Sequence, residues 1–259
     1  MTATDRPAGE IGGAGRGRTA VAVFVAGLRQ YARTPVLLAM LAVFPAYLIV
    51  AFSRLTPETT VPLSVPGDGT EIVALSELYA VVLTPMVGAL VGGLAGLFLV
   101  RAARGADGRL VVAGASSRAL VAARLALVAA VGVLVAAVGV AAAATTYVPE
   151  RPAVLFGATL LAAVNYGLLG GLAALVVDRL AGVYLVLFGT MIDFFLLQNP
   201  LADDGDLARY LPGHAPTELA VDGGFSTAVS AAPALSGLAF TALLGAVTVL
   251  ALGRSLRTS

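Results

Sequence analysis

The side chains that could carry chemistry are few in this sequence, and the missing types exclude most kinds of active site. All sixteen basic side chains are arginine, so there is no lysine for a Schiff base or for a phosphate-binding loop of the GxxxxGK(S/T) type. The chain also has no cysteine, which excludes disulfides, thiolate catalysis and cysteine-bound metals. We therefore expect no enzyme activity, no cofactor and no metal site in this chain.

One carboxylate, that of Asp193, lies within an apolar stretch of the sequence. An ionisable side chain inside a membrane is costly, and it indicates a transport pathway or a polar partner. Asn165, Tyr166 and Thr84 lie in other apolar stretches and are candidate partners. We treat Asp193, Asn165 and Thr84 as candidate residues of a translocation path. A structural hydrogen bond, or a span that ends before Asp193, is the alternative.

His214 is the only histidine, and without cysteine or clustered acids beside it a tetrahedral metal site is not expected. The segment 204–209 is similar to the DGxxAR motif of CDP-alcohol phosphotransferases. The further aspartates that such an enzyme needs are absent from the matching positions, and Pro212 and Pro216 are expected to interrupt a helix there. We therefore reject this enzyme class.

The composition places the chain in the membrane class. It is 59% hydrophobic and 12% charged, with a mean hydropathy of +0.94, whereas soluble domains average about 45–50% apolar and about 25% charged residues. So little charge cannot cover a water-soluble surface, and the apolar excess must therefore face lipid.

Six apolar stretches approach the roughly 20 residues that a helix needs to cross a bilayer. They lie at about 35–52, 78–100, 119–144, 153–177, 180–198 and 231–252. We predict an all-α membrane protein with six transmembrane helices in one domain, residues 19–259. Residues 1–18, rich in Gly, Ala and Arg, are predicted to form a disordered cytosolic tail.

The arginines indicate the orientation of these spans, because basic loops stay on the cytosolic side. With the N-terminus inside, three arginines lie outside, namely Arg54, Arg151 and Arg209. The other thirteen lie inside: Arg6, Arg16, Arg18, Arg29, Arg33, Arg101, Arg104, Arg109, Arg118, Arg124, Arg179, Arg254 and Arg257. We predict a multi-pass protein of the cell membrane with both termini cytoplasmic.

The segment 19–34 is predicted to be an interfacial helix at the N-terminus. Its apolar residues recur at helical spacing along one stripe, and Arg29 and Arg33 follow. Such a helix lies in the headgroup plane, and Pro35 would mark the bend into the first span. The alternative is that 21–26 extends the first span.

Glycines recur at four-residue spacing in two of the spans. Gly88, Gly92 and Gly96 share one helix face, and Gly167 and Gly171 repeat the interval. Small residues at this spacing allow helices to approach closely in a membrane. We predict that these glycines serve helix packing, either within the chain or between protomers.

Three segments carry short motifs. They are 28–35, LRQYARTP, before the first span; the basic segment 101–125, with Gly108-Arg109-Leu110 and Ser116-Ser117-Arg118; and 209–216, RYLPGHAP, before the sixth span. The chain resembles the ABC-2 type permeases of ABC transporters at these segments. The first is similar to that family's entry into its first span, the second to its cytosolic loop, and the third to its outer segment before the sixth span.

The resemblance implies the membrane-spanning subunit of an ATP-driven exporter, which forms a homodimer or pairs with a similar permease. ATP would be bound by two separate ATPase subunits, and the loop 101–118 would dock in a cleft of the ATPase as a coupling helix. Spans one, two and five would then alternate access to a central path. The residues implied in coupling are Arg101, Arg104, Gly105, Asp107, Gly108, Arg109, Ser116, Ser117 and Arg118.

Guanidinium groups suit such docking, since they pair bidentately with acidic surfaces. The alternative is that these arginines only hold the chain against the anionic inner leaflet. Two other functions stay open as well: a non-transporting membrane anchor or sensor subunit, and a proton-coupled secondary transporter that uses Asp193. Drugs, lipids and glycans are all open as substrates, a role in metal-cluster assembly is open as well, and no nucleic-acid partner is expected.

Overall fold

The computed structural model of the chain describes residues 8–33, 35–65, 69–202 and 207–256. This part contains eight α-helices, one two-stranded antiparallel sheet and two short helical turns. Their bounds are α1 Ala8–Ala32, α2 Pro35–Leu55, β1 Thr60–Val65, β2 Gly69–Ala74, α3 Leu75–Val112, α4 Ser117–Ala143, α5 Pro152–Val176, α6 Arg179–Met191, a π-helical turn Ile192–Leu197, a 3-10 turn Ala208–Tyr210, α7 His214–Phe225 and α8 Ala231–Ser255.

Five helices in the described residues are long and apolar enough to cross a membrane, which confirms the prediction of a helical, membrane-embedded protein. They are α3, α4, α5, α8, and α6 together with the π-helical turn. The helix α2, Pro35–Leu55, corresponds to the predicted span 35–52, and within the described residues its apolar stretch covers Leu41–Leu55. The count of six spans and the orientation of the termini therefore stay predictions.

The helix α3 runs for 38 residues, so most of the predicted loop 101–118 is helical. Alanine and arginine are good helix formers, and they dominate the first half of that loop. The helix ends in a Schellman motif, in which Gly114 adopts a positive φ of 94°. The N–H groups of Ala115 and Gly114 donate to the carbonyls of Leu110 and Val111 at 2.8 and 2.9 Å.

Two regular elements lie between predicted spans, in the segments 53–77 and 199–230 that contain the predicted outer arginines Arg54 and Arg209. The strands β1 and β2 pair antiparallel, with Leu63 opposite Glu71. The helix α7 has 12 residues, which corrects the expectation that Pro212 and Pro216 prevent a helix. Pro216 is the third residue of α7, and a proline in the first turn removes no intrahelical hydrogen bond.

The helices α3 and α5 form the centre of the bundle, and glycines let them approach closely. A Cβ atom added to Gly96 would overlap the carbonyl oxygen of Gly167, and one added to Gly92 would overlap that of Ala163. These contacts confirm that the glycine spacing serves packing within the chain. Most side chains of α3 from 78 to 93 are buried, whereas α6 and α8 leave many large apolar side chains exposed.

The helix α1 packs against α4, where Phe24 contacts an apolar cluster that includes Leu127 and Val128. Its end at Ala32 and the start of α2 at Pro35 agree with the predicted bend. The helix begins at Ala8, however, and so extends into the segment predicted to be a disordered tail. Its interfacial position stays a prediction.

The bundle has two unlike ends. We call the end with the α3–α4 and α5–α6 connections the basic end, and the end with the β1–β2 sheet and α7 the hairpin end. The described arginines of the basic end on α3 to α8 are Arg101, Arg104, Arg109, Arg118, Arg124, Arg179 and Arg254.

Candidate functional site

The turn between α3 and α4 presents apolar and basic side chains at the basic end. Val112 is 86% exposed and Leu110 is 40% exposed. Arg109 and Arg118, beside them in sequence, are exposed as well. Within the described residues, neither arginine takes part in an ion pair. An exposed apolar tip between guanidinium groups is a surface that a soluble partner could bury.

Arg101 and Arg104, also predicted coupling residues, connect α3 to α5. The Nη1 atom of Arg101 donates to the carbonyl of Val177 at 2.6 Å, and Nη1 of Arg104 donates to that of Ala174 at 3.3 Å. These carbonyls lie at the C-terminal end of α5, where backbone acceptors lack helical donors and the helix dipole is negative. Both arginines therefore have structural partners within the chain.

Asp107 and Arg124 form a bidentate ion pair between α3 and α4. The Nε and Nη2 atoms of Arg124 donate to Oδ2 and Oδ1 of Asp107 at 3.0 and 2.7 Å. Both side chains are largely buried. Asp107 thus holds the two helices together behind the exposed turn, a role that its type and position in the sequence did not indicate.

The remaining predicted coupling residues surround the same turn. Gly105 is exposed and Gly108 is half-buried, both within α3. Ser116 is the N-cap residue of α4 and Ser117 is its first residue, and both are half-buried. The structure therefore places the predicted coupling set at one end of the molecule, with the exposed charges of Arg109 in the last turn of α3 and Arg118 in the first turn of α4.

An apolar groove with a volume of about 440 Å³ lies between α2 and α6, on one face of α3. Phe44 of α2, Leu94 and Phe98 of α3, and Leu187 of α6 line it. Arg124 is also a lining residue, and its ion pair with the end of α3 places it at the basic end of the groove. Apolar walls with few polar groups are typical of small-molecule sites. None of the groove's apolar residues was predicted from the sequence to belong to a site.

Asp193 is 4% exposed and lies at the centre of a hydrogen-bond cluster near the hairpin end. Its Oδ2 accepts from the Tyr166 hydroxyl at 2.5 Å and from the Gly213 backbone N–H at 2.8 Å. Its Oδ1 accepts from Nε2 of Gln198 at 3.1 Å. The carboxylate therefore joins α5, the π-helical turn and the start of α7. Tyr166 is confirmed as a partner, whereas Gln198 and Gly213 were missed.

The cluster continues through Gln198 toward the surface of the hairpin end. Its Nε2 also donates to the carbonyl of Ala208 at 2.9 Å, and its Oε1 lies 3.1 Å from Nδ1 of His214. Because an amide oxygen can only accept, Nδ1 carries the hydrogen in this contact. The other ring nitrogen, Nε2, lies 3.5 Å from Glu218. His214 thus has local partners in the α7 region.

Asn165 and Thr84 do not join Asp193. The Oδ1 of Asn165 accepts from the hydroxyl of Thr241 on α8 at 2.6 Å. The hydroxyl of Thr84 donates to the carbonyl of Ala80 within α3 at 2.7 Å. The three candidate path residues therefore lie in separate contacts, and none of them lines the groove.

Burial raises the pKa values of two ionisable groups at the hairpin end, Tyr147 and Asp222. Burial, followed by the charge of Glu150, raises the pKa of the Tyr147 hydroxyl, which donates to the carbonyl of Gly224 at 3.0 Å. Burial also raises the pKa of the Asp222 carboxyl, against the lowering effect of the Ser230 N–H that donates to it at 2.9 Å. Both groups belong to the contacts around α7.

Within the described residues, no three histidine, aspartate or glutamate side chains lie close enough together to hold a metal ion. No model of a known protein family matches the chain, and neither a curated protein nor a solved structure matches it. The basic turn and the apolar groove are therefore interpreted from their own residues.

Proposed function

We propose that this chain is the membrane-spanning permease subunit of an ATP-driven transporter of the ABC-2 type, an exporter that works with a separate ATPase. The observation that carries the proposal is the α3–α4 turn, an exposed apolar tip flanked by Arg109 and Arg118. If the turn projects into the cytosol, its apolar groups would contact water in the absence of a partner, which is unfavourable. Docked in an acidic cleft, it would bury Val112 and pair both guanidinium groups.

Two further features support this function. The turn is connected to the membrane interior by α3, one continuous helix that also forms a wall of the groove. The groove lies between α2, α3 and α6, the helices of the spans expected to move in such a transporter. A displacement of the turn would therefore be carried directly to the wall of the groove.

In this proposal the basic end faces the cytosol, because basic segments are retained on that side. The chain has no cysteine, so single cysteines can report this directly. We expect Arg109→Cys to resist a membrane-impermeant thiol reagent in intact cells and to react after permeabilisation. The matched variant at the hairpin end, Arg209→Cys, should react in intact cells. The reverse pattern would show the opposite orientation.

Co-purification of ATP hydrolysis tests the coupling to an ATPase. The tagged full-length chain is isolated from its native membranes after mild cross-linking, and magnesium-dependent ATP hydrolysis is measured in the eluate. We expect activity with the unmodified chain and a loss of at least about tenfold with Arg109→Glu/Arg118→Glu, since both charge contacts would become repulsive.

Arg209→Glu is the matched control, because it reverses an exposed arginine at the hairpin end. Its eluate should keep the full ATPase activity. An eluate of the unmodified chain without ATP hydrolysis, or undiminished hydrolysis after the double charge reversal, contradicts the proposed coupling.

The proton-coupled alternative is not favoured. Asp193 is buried with three donors on its two oxygens, and it does not line the groove. A carboxylate that exchanges protons with a substrate path needs access to that path. The contacts of Asp193 instead match a structural role.

A further inference from the structure

The walls of the groove restrict the ligands that can bind there. Thirteen of its fourteen described lining residues are apolar, among them Phe44, Leu94 and Phe98. Burying polar groups against such walls would leave them without partners, which is costly. The volume of about 440 Å³ lies within the range of about 300–1,000 Å³ that holds small molecules. The main body of a ligand in the groove must therefore be apolar.

The groove is long as well as apolar. Along α3 its lining extends from Leu90 to Ala106, which corresponds to about 24 Å at the rise of an α-helix. A single extended hydrocarbon chain fits these proportions better than a bulky ring system does. The apolar contact would then be spread along one face of α3.

Arg124 is the polar contact at one end of this groove. Its guanidinium has five N–H groups, of which Asp107 accepts two. Within the described residues, the structure gives the other three no acceptor. Since a guanidinium has donors only, the ligand group that meets Arg124 must supply an acceptor oxygen.

The surrounding charges favour an anionic oxygen over a neutral one. Asp107 offsets the charge of Arg124, but a second guanidinium, that of Arg179, lies 5.2 Å from the ring centroid of Phe98, a groove residue. Arg101 and Arg104 follow on the same helix. An anionic oxygen adds the attraction of opposite charges to its hydrogen bond with a guanidinium, and a neutral oxygen lacks that attraction.

We infer that the groove binds a single-chain anionic amphiphile, with its hydrocarbon chain along α3 and its anionic oxygen on Arg124. The inference rests on the proposed function only in naming this molecule as the transported substrate. Binding itself needs neither the ATPase nor a cycle of transport. In the proposed orientation, the anionic end lies at the level of the cytosolic leaflet.

Tryptophan quenching tests the position of the hydrocarbon chain, because the chain of this protein contains no tryptophan. Phe44→Trp introduces one in the groove. Phe188→Trp introduces a matched one on α6, where Phe188 is 54% exposed, and both positions lie nine residues beyond the start of their helix. Each full-length variant is placed in bilayer nanodiscs and titrated with a dibrominated long-chain fatty acid.

We expect quenching of the Phe44→Trp variant to saturate at low probe content, whereas the Phe188→Trp variant should show only the gradual quenching of lipid partitioning. Ala102→Leu, added to Phe44→Trp, should weaken the saturable component by roughly tenfold, since it fills part of the groove. Equal, unsaturable quenching of both tryptophans overturns the inference. An absence of quenching in the Phe44→Trp variant, as expected if a second copy of the chain covers the groove, also overturns the inference.

The methyl ester of the same fatty acid tests the anionic end. We expect the acid to bind about tenfold more tightly than the ester, because the ester keeps an acceptor oxygen but loses the charge that pairs with the guanidinium. In Asp107→Asn/Arg124→Gln, whose side chains can still bond to each other, this preference should disappear while saturable binding persists. Equal affinity of acid and ester for the unmodified chain overturns the assignment of Arg124.

The two proposals fail separately. Saturable binding without any co-purifying ATP hydrolysis would support the groove ligand and contradict the proposed transporter function. Co-purifying ATP hydrolysis without saturable binding would support the transporter function and contradict the binding of an amphiphile in the groove.

Discussion

The two ends of the bundle hold their helices in different ways. At the hairpin end α7 is almost wholly buried, and the N–H groups of Glu150 and Arg151 donate to the carbonyls of Gly224 and Gly223 at 3.1 and 2.8 Å. At the basic end a groove separates α2 from α6. There an apolar cluster that includes Val100 and Ala174 packs between α3 and α5, and arginine side chains such as Arg101 add hydrogen bonds to backbone carbonyls.

This difference indicates which end can change shape. Short backbone contacts and a fully bonded carboxylate define one geometry, whereas long side chains can keep a contact while helices shift. Regions with fewer buried contacts also open at lower free energy. We therefore expect the hairpin end to be the fixed part of the molecule and the basic end to be the part that adjusts to a partner or ligand.

The largest expected loss of stability is that of a glycine variant of α3, which is compared with a second glycine variant on the same helix. Gly96→Ala should destabilise the fold by about 3 kcal/mol or more, because the added methyl group overlaps a backbone carbonyl of α5, which cannot rotate away as the end of a side chain could. The melting temperature in detergent, followed by size-exclusion chromatography of heated samples, measures this loss.

Gly105→Ala is the matched control in the exposed part of α3. Nothing lies within 4 Å of an added Cβ atom there, and alanine favours helix over glycine by up to about 1 kcal/mol. We expect unchanged or slightly higher stability. Similar losses for both variants would show that α3 is packed alike along its whole length.

Asp193→Ala should cost about 3 kcal/mol, from three buried donors that each lose an acceptor at about 1 kcal/mol. Limited proteolysis should then cut the segment between the π-helical turn and α7 more rapidly. Leu196→Ala, at an exposed position of the same turn, is the control and should leave both measurements unchanged. A stable, protease-resistant Asp193→Ala variant would show that the hydrogen bonds of Asp193 do not stabilise the hairpin end.

Asp107→Asn should have a smaller effect, of about 1–2 kcal/mol, because the amide keeps one acceptor for Arg124 and the pair lies at the more open end. The melting temperature should fall less than in Asp193→Ala. A larger fall than in Asp193→Ala would reverse the ranking of the two ends.

The smallest expected effect is a pH dependence at the hairpin end. Burial raises the pKa of Asp222 above the usual aspartate value of 3.8, so the folded chain binds this proton more tightly than the unfolded chain does. The protonated Asp222 therefore stabilises the fold fully at pH values below 3.8, and this stabilisation declines as the pH rises through the folded-state pKa. Asp222→Asn should flatten the melting temperature against pH over this interval, and an unchanged slope would contradict the assignment.

The positions of the long helices could be predicted from the sequence, because apolar runs bounded by charges define a helix that crosses a bilayer. The predicted spans 119–144 and 153–177 differ from α4 and α5 by only one or two residues at each end. The spacing of the glycines from Gly88 to Gly96 likewise predicted one closely packed face of α3. It did not predict that α5 is the helix packed there, because packing within the chain and between protomers give the same pattern.

The hairpin end was harder to predict because its elements depend on contacts that are distant in sequence. Pro216 disfavours a helix when it is considered alone, and only its place in the first turn of α7 removes the conflict. The β1–β2 sheet did leave a signal, since two runs rich in β-branched residues flank the segment 66–69, PGDG. The groove left none, because its lining residues resemble every other apolar residue of the spans.

The length of α3 gives the molecule a lever. At 38 residues and 1.5 Å per residue the helix measures about 57 Å, nearly twice the roughly 30 Å thickness of the hydrocarbon layer. If the glycine contacts around Gly96 act as the pivot, the arm from there to Val112 is about 24 Å long, and a tilt of about 10° moves its tip by about 4 Å. A pull on the tip could therefore widen or narrow the groove while the pivot itself hardly moves.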